Sequence, residues 1–195
     1  PDTGAMAGTW TAAAAATAAL LALAGCAQST GGRAPAAGSA LLAEHGLAGM
    51  TGKEVVDHLD RLPAAERPAD LLASVRAEEV VLTDGTEEVA LDLPADEFYV
   101  SVAPYVDATH ECYYHSLTTC QGELVEQEVD VTLTTDDGEV LLAETTTTLP
   151  NGFVGYWLPR DVEGVLEVTH DGLTGSVPLA TGPDDPTCVT TLRLG

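Results

Sequence analysis

Two histidines and two cysteines fall within the string HECYYHSLTTCQGEL (110–124), in a chain of 195 residues that holds only four cysteines and five histidines. They are His110, Cys112, His115 and Cys120, and a further thiol, Cys188, follows 188 − 120 = 68 residues later, near the carboxyl end. Three chemistries suit these residue types. Two thiols separated by seven residues can close a small disulfide-stapled loop, leaving Cys188 buried and inert. Thiolates are soft ligands that select copper(I) or zinc, and imidazole suits both metals. Copper(I) is satisfied by two or three soft ligands, which Cys112, Cys120 and Cys188 supply, with His115 as a fourth or alternative. Zinc prefers a closed set of four, which the same residues also form, although CxxHxxxxC is not a zinc-finger spacing. Neighbouring thiols can also give up electrons and exchange disulfides, although no CxxC motif is present. His110 is a weaker candidate than His115, and Tyr113 and Tyr114 are expected to pack beside the loop.

The cysteine count bears on these choices. The uncharged run TAAAAATAALLALA (11–24) is too short to span a bilayer and fits the core of a signal peptide. It leads into Leu23-Ala24-Gly25-Cys26, which resembles a bacterial lipobox, so residues 1–26 read as a signal peptide with Cys26 lipidated. No basic residue precedes the run, a departure from that pattern. Residues 27–40, AQSTGGRAPAAGSA, are small, polar and rich in Pro and Gly, the composition of a flexible tether. With Cys26 carrying lipid, three cysteines remain. Three cannot all pair within one chain, so at least one is free, bridged to another molecule or bound to something.

The elements that must position these residues are legible by period. An α+β fold is expected: a small helical and β-hairpin unit over 41–107, then an all-β, sandwich-like domain over 108–195. Residues 39–62 read as helical, with Thr51-x-x-Glu54 as a capping box ahead of Val55, Val56, Leu59 and Leu62, and Pro63 as a stop. A further short helix is expected near 68–75. From Val80 the period becomes two, and Asp84-Gly85 marks a hairpin. Phe98 to Val106 reads as another strand. Beyond it, Asp137-Gly138, Asn151-Gly152 and Asp171-Gly172 punctuate alternating strands, as in a sandwich. Trp157 reads as sandwich core. The formal charge is −24, from 7 basic and 31 acidic residues, which disfavours nucleic-acid binding.

Long strings in the carboxyl-terminal half carry a resemblance. CYYHSLTTCQGEL, Asn151-Gly152-Phe153-Val154-Gly155 leading into Trp157-Leu158-Pro159-Arg160, and Thr187-Cys188-Val189-Thr190-Thr191-Leu192-Arg193 look like the CueP family of exported bacterial copper-binding proteins. The resemblance implies copper bound through Cys112, Cys120 and Cys188, with His115 on the histidine inside the signature. It also implies a periplasmic or extracytoplasmic role in copper resistance. Copper(I) would be kept reduced and handed to a partner such as a secreted Cu,Zn superoxide dismutase or another cuproprotein. A subunit that dimerises through its amino-terminal unit is implied as well. Together these readings describe a copper-binding protein anchored at the outer face of the membrane through Cys26. It is not an enzyme, although its thiols could reduce copper(II) stoichiometrically. A thiol-disulfide oxidoreductase, and a structural lipoprotein with a Cys112–Cys120 disulfide, are the alternatives.

Overall fold

A computed structural model describes residues 39–195; the signal-peptide, Cys26 and most of the tether readings lie outside the described residues. Two short helices come first, α1 (Ser39–Glu44) and α2 (Gly52–Leu59). Thr51 caps α2 through the anticipated box. Its side chain accepts from the Glu54 N–H at 3.3 Å while Glu54 Oε2 accepts from the Thr51 N–H at 2.8 Å. The apolar face of α2, Val55, Val56 and Leu59, is buried. The helix therefore ends by carrying the next residue, Asp60, into the interior, where it is only 1% exposed.

A 3₁₀ turn (Ala64–Glu66) leads to a meander of β1 (Leu72–Val75), β2 (Glu79–Thr83) and β3 (Glu88–Asp92), antiparallel throughout. The helix anticipated near 68–75 is not formed. Ala73 and Val75 are buried on one side of an extended segment, and pairing with β2 outweighs the helical preference of its Leu and Ala residues. Asp84-Gly85 turns the β2–β3 hairpin: Asp84 Oδ1 accepts from the N–H groups of Thr86 and Glu87, and Gly85 takes φ 87°.

The remaining strands form two facing layers. One is β10 (Cys188–Val189), β4 (Glu97–Val102) and β7 (Val154–Pro159); the other is β6 (Val140–Thr147), β5 (Glu128–Thr135), β8 (Glu163–His170) and β9 (Leu173–Ala180). Alternate residues on the two inner faces interlock in one core: Phe98, Val100 and Val102 of β4 meet Val131, Leu133, Leu166 and Val168. The described residues thus have few helices and many antiparallel strands, the α+β class with a helical start and a β-rich remainder.

Because side chains alternate along a strand, β4 serves two cores. Its other face presents Tyr99 to a second cluster with Val55, Leu59, Val75 and Leu82. Trp157, the Cα partner of Tyr99 on β7, points the same way. It packs against the helical cluster and not within the sandwich, with Nε1 donating to Asp57 at 2.9 Å and Lys53 Nζ 3.7 Å from its ring centroid. The β4–β7 sheet is therefore a shared wall. A small third cluster lies at one end of it, made of Ala103, Cys120, Phe153 and Cys188, with Cys112 against it.

Candidate metal centre

Three segments distant in sequence build the third cluster. The first is β10, the only parallel partner among the described strands. Cys188 lies opposite Ser101 and Val189 opposite Val102, so the alternation that buries Val189 in the sandwich turns Cys188 to the other side. The second is the signature loop. His115 and Leu117 exchange backbone hydrogen bonds with β1: Val75 N donates to His115 O and Leu117 N to Ala73 O, each at 2.8 Å. Thr187 locks these two segments together. Its hydroxyl accepts from the His115 N–H at 3.0 Å and donates to Val75 O at 2.6 Å. The third is the Asn151-Gly152 turn. Gly152 has φ 79°, and its backbone lies so close to Gly122 that a Cβ there would stand 2.6 Å from the Gly122 oxygen. Phe153, fully buried, lies beside both imidazoles, with ring centroids 4.7 Å from His115 and 6.3 Å from His110.

The thiols of Cys112, Cys120 and Cys188 are free. Cys112 Sγ and Cys120 Sγ are 3.4 Å apart, well beyond a disulfide bond length of about 2.05 Å. Two overlapping donor sets result. His115, Cys120 and Cys188 form one, wholly buried; His110, Cys112 and Cys120 form the other, partly open; within each, one ligand atom per residue lies within 4.8 Å of the rest. Cys120 belongs to both. Two ligands each about 2.3 Å from one ion stand roughly 3.7–4.6 Å apart, so a soft monovalent or divalent cation fits once the sulfurs of Cys112 and Cys120 spread slightly. The donor types, sulfur and imidazole, suit copper.

Hydrogen bonding and charge prepare the donors. His115 Nε2 lies 2.8 Å from Asp60 Oδ1, which leaves Nδ1 facing Cys188 Sγ at 3.7 Å. This is the carboxylate–histidine arrangement that fixes a ligand's tautomer. Burial disfavours the charged imidazole, yet the Asp60 carboxylate outweighs it and raises the His115 pKa to about 9. Asp60 is stabilised in turn: against its burial, the His115 charge and hydrogen bonds from His115 and Tyr99 hold its pKa down. Asn151 Nδ2 completes the cradle, donating to Asp60 Oδ1 at 2.7 Å and to its backbone oxygen at 3.1 Å. Among the sulfurs, hydrogen bonds from Cys112 and Cys188, then His115, drive the Cys120 pKa far down. The hydrogen bond to Cys120 raises Cys112 to about 11, and bonds to Cys112 and Cys120 raise Cys188. The metal-free cluster thus holds one thiolate, on Cys120, with two thiols and an imidazolium around it. Arg67 braces the same loop, its Nη1 donating to Cys120 O at 2.6 Å.

Residues 54–193 match the family described as periplasmic copper-binding protein CueP. The chain belongs to the CueP family. The crystal structure of S.CueP superposes with a TM-score of 0.78 at 42% sequence identity, covering 84% of this chain and all of that one. No curated protein matches the sequence. Each CueP-type residue singled out in the sequence, Cys112, His115, Cys120 and Cys188, lies at this one cluster. Tyr113 and Tyr114 pack edge-to-face on each other beside the loop, ring centroids 5.0 Å apart, with each about half exposed and Tyr113 tied by its hydroxyl to Asp184 O. Asp60, Arg67 and Tyr99 carried no mark in the sequence, whereas Asn151 and Phe153 stood inside a string that did.

Proposed function

We propose that this chain is an extracytoplasmic, lipid-anchored protein that binds copper(I), buffers it in reduced form and passes it to another copper protein. Membership in a periplasmic copper-binding family makes the chain an exported copper-binding protein; the oxidation state, the anchor and the handover are the proposal. The observation that carries copper(I) is the convergence of Cys112, Cys120, Cys188 and the Nδ1 face of His115 around one small volume. A sulfur-rich set with few ligands favours the soft monovalent ion. Cys120 is already a thiolate, so the first Cu–S bond needs no deprotonation there. The Asp60-bound imidazole adds a nitrogen donor, and Phe153 excludes water from the buried side. Anchoring rests on the lipobox-like LAGC at 23–26 and the tether that follows it. Among the described residues no helix is long and apolar enough to cross a membrane. Copper is the cargo, held stoichiometrically, and the Cys112–Cys120 pair can yield two electrons once by closing a disulfide. A partner such as a secreted Cu,Zn superoxide dismutase fits this role.

The test is chelator competition for copper(I) with the parent chain and with Cys112→Ser, Cys120→Ser and Cys188→Ser. Each loss of a thiolate should lower affinity at least about tenfold, as expected for removal of a metal ligand, and Cys120→Ser the most. Equal affinity in all four proteins would overturn the proposal.

A further inference from the structure

The cluster is divided between an outer and an inner donor set, and only the outer one meets solvent. His115 is fully buried, Cys188 is 2% exposed and Cys120 7% exposed. Cys112 and His110 are the partly open members. His110 also shows a feature that its sequence position did not suggest. Its Nε2 is shut away from water and has no hydrogen-bond partner, although a buried ring nitrogen ordinarily finds one. A ring nitrogen of the same residue lies within 4.8 Å of the sulfurs of Cys112 and Cys120. The segment that leads into it is tied down twice. Thr109 Oγ1 donates to Thr190 O at 2.7 Å, and the Glu123 carboxylate accepts from the N–H groups of Val106, Asp107 and Ala108. An imidazole so placed, with no protein partner of its own, is a ligand in waiting.

Resting on the copper(I) reading above, we propose that His110, Cys112 and Cys120 form a second, outer copper(I) site, and that the ion passes between it and the buried His115–Cys120–Cys188 site by pivoting on Cys120. Cys120 stays bound throughout. On inward movement the bonds from copper to Cys112 and His110 break, and bonds to Cys188 and His115 form. The Cys188 thiol proton passes to the Cys112 thiolate, and the proton on His115 Nδ1 is released to solvent as that nitrogen binds the ion. Copper stays in the monovalent state, and no electron moves. Exchanging one ligand at a time around a shared sulfur avoids ever releasing the bare ion, and it gives a buried ion a route to an acceptor docked at the surface. Phe153 lies beside both imidazoles, so the two sets share one apolar flank.

The test is a mutant cycle on the full chain, read by competition against a copper(I) chelator. In Cys188→Ser protein the inner set is broken and the ion depends on the outer one; adding His110→Ala should then cost at least about tenfold in affinity. In Cys112→Ser protein the outer set is already broken, and adding His110→Ala should cost clearly less. Equal costs in the two backgrounds, or a larger cost in Cys112→Ser, would overturn the outer site. So would a Cys188→Ser protein that retains no copper(I). His110→Gln serves as a second variant should the alanine protein misfold. In ¹⁵N-histidine spectra of the Cys188→Ser protein, copper(I) should shift a His110 ring nitrogen; an unmoved His110 signal would equally overturn the site. A parent chain that binds no copper(I) would defeat the copper reading itself, an outcome distinct from any of these.

Discussion

At the scale of single residues, Asp60 organises the centre without being a donor to it. Its carboxylate meets His115 Nε2, the Tyr99 hydroxyl and Asn151 Nδ2, and it is 1% exposed. A buried carboxylate with three partners is stable only while they remain, and removing one side of such a pair costs about 3–5 kcal/mol. Asp60→Asn keeps the volume and removes the charge. It should therefore lower unfolding free energy by about 3 kcal/mol and weaken copper(I) binding about 10–100-fold, because the imidazole loses the group that fixes its tautomer. Urea denaturation of the metal-free chain and chelator competition would measure the two effects; an unchanged denaturation midpoint would contradict this account of Asp60. Nothing marked this residue in the sequence. It is one of 31 acidic residues, and only the burial of the α2 face just before it turns it inward. The cysteines are legible because thiols are rare here, and setting Cys26 aside leaves an odd three of the four.

At the scale of elements, the site depends on two turns packed backbone to backbone. Gly122 N donates to Asn151 O at 2.7 Å, and no side chain fits between Gly122 and Gly152. Gly152→Ala meets both a left-handed φ of 79° and a crowded backbone. The first costs about 1–2 kcal/mol and forced overpacking typically about 1–3 kcal/mol more. Gly85→Ala shares the positive φ, 87°, but faces open space, so only the first cost, about 1–2 kcal/mol, applies. Thermal unfolding of the two variants should therefore rank Gly152→Ala as the more damaging. Only Gly152→Ala should also weaken copper(I) binding, since Asn151 and Phe153 flank the turn. Equal melting temperatures would contradict the packing argument. Turn chemistry is local, which is why Asp84-Gly85, Asn151-Gly152 and Asp171-Gly172 were all readable. Pairing is not local. The segment 72–75 reads as helix until β2 lies beside it, and the parallel contact of β10 with β4, which delivers Cys188, joins residues 188 − 101 = 87 apart and leaves no periodic trace. Trp157 reads as sandwich core but packs on the helical cluster for the same reason, because a two-sided sheet gives both faces apolar neighbours.

At the scale of the whole molecule, copper binding is an exchange of cations. The chain carries a formal charge of −24, which draws cations toward it over a range set by salt. The centre itself holds protons where the metal must go. At neutral pH, Cys112, with its pKa raised to about 11, and Cys188, also raised, are thiols; His115, at about 9, is imidazolium; Cys120 is thiolate. A group whose pKa lies above the working pH must surrender its proton on binding, and affinity rises with pH until the pH passes that pKa. Cys120 contributes no such dependence. Copper(I) in the buried set of Cys120, Cys188 and His115 Nδ1 should thus expel about two protons at pH 7, one from Cys188 and one from His115. The apparent affinity should rise roughly a hundredfold per pH unit between pH 6 and 8. The rise should shallow near pH 9, where His115 has lost its own proton. Because one positive charge enters and two leave, the loaded chain should be more negative than the free one. Calorimetry of copper(I) transfer in buffers of different ionisation enthalpy counts the protons directly, and native electrophoresis reads the charge change. An affinity flat from pH 6 to 8 would mean that the thiols are already ionised, and would contradict the single-thiolate state that the hydrogen bonds around Cys120 impose.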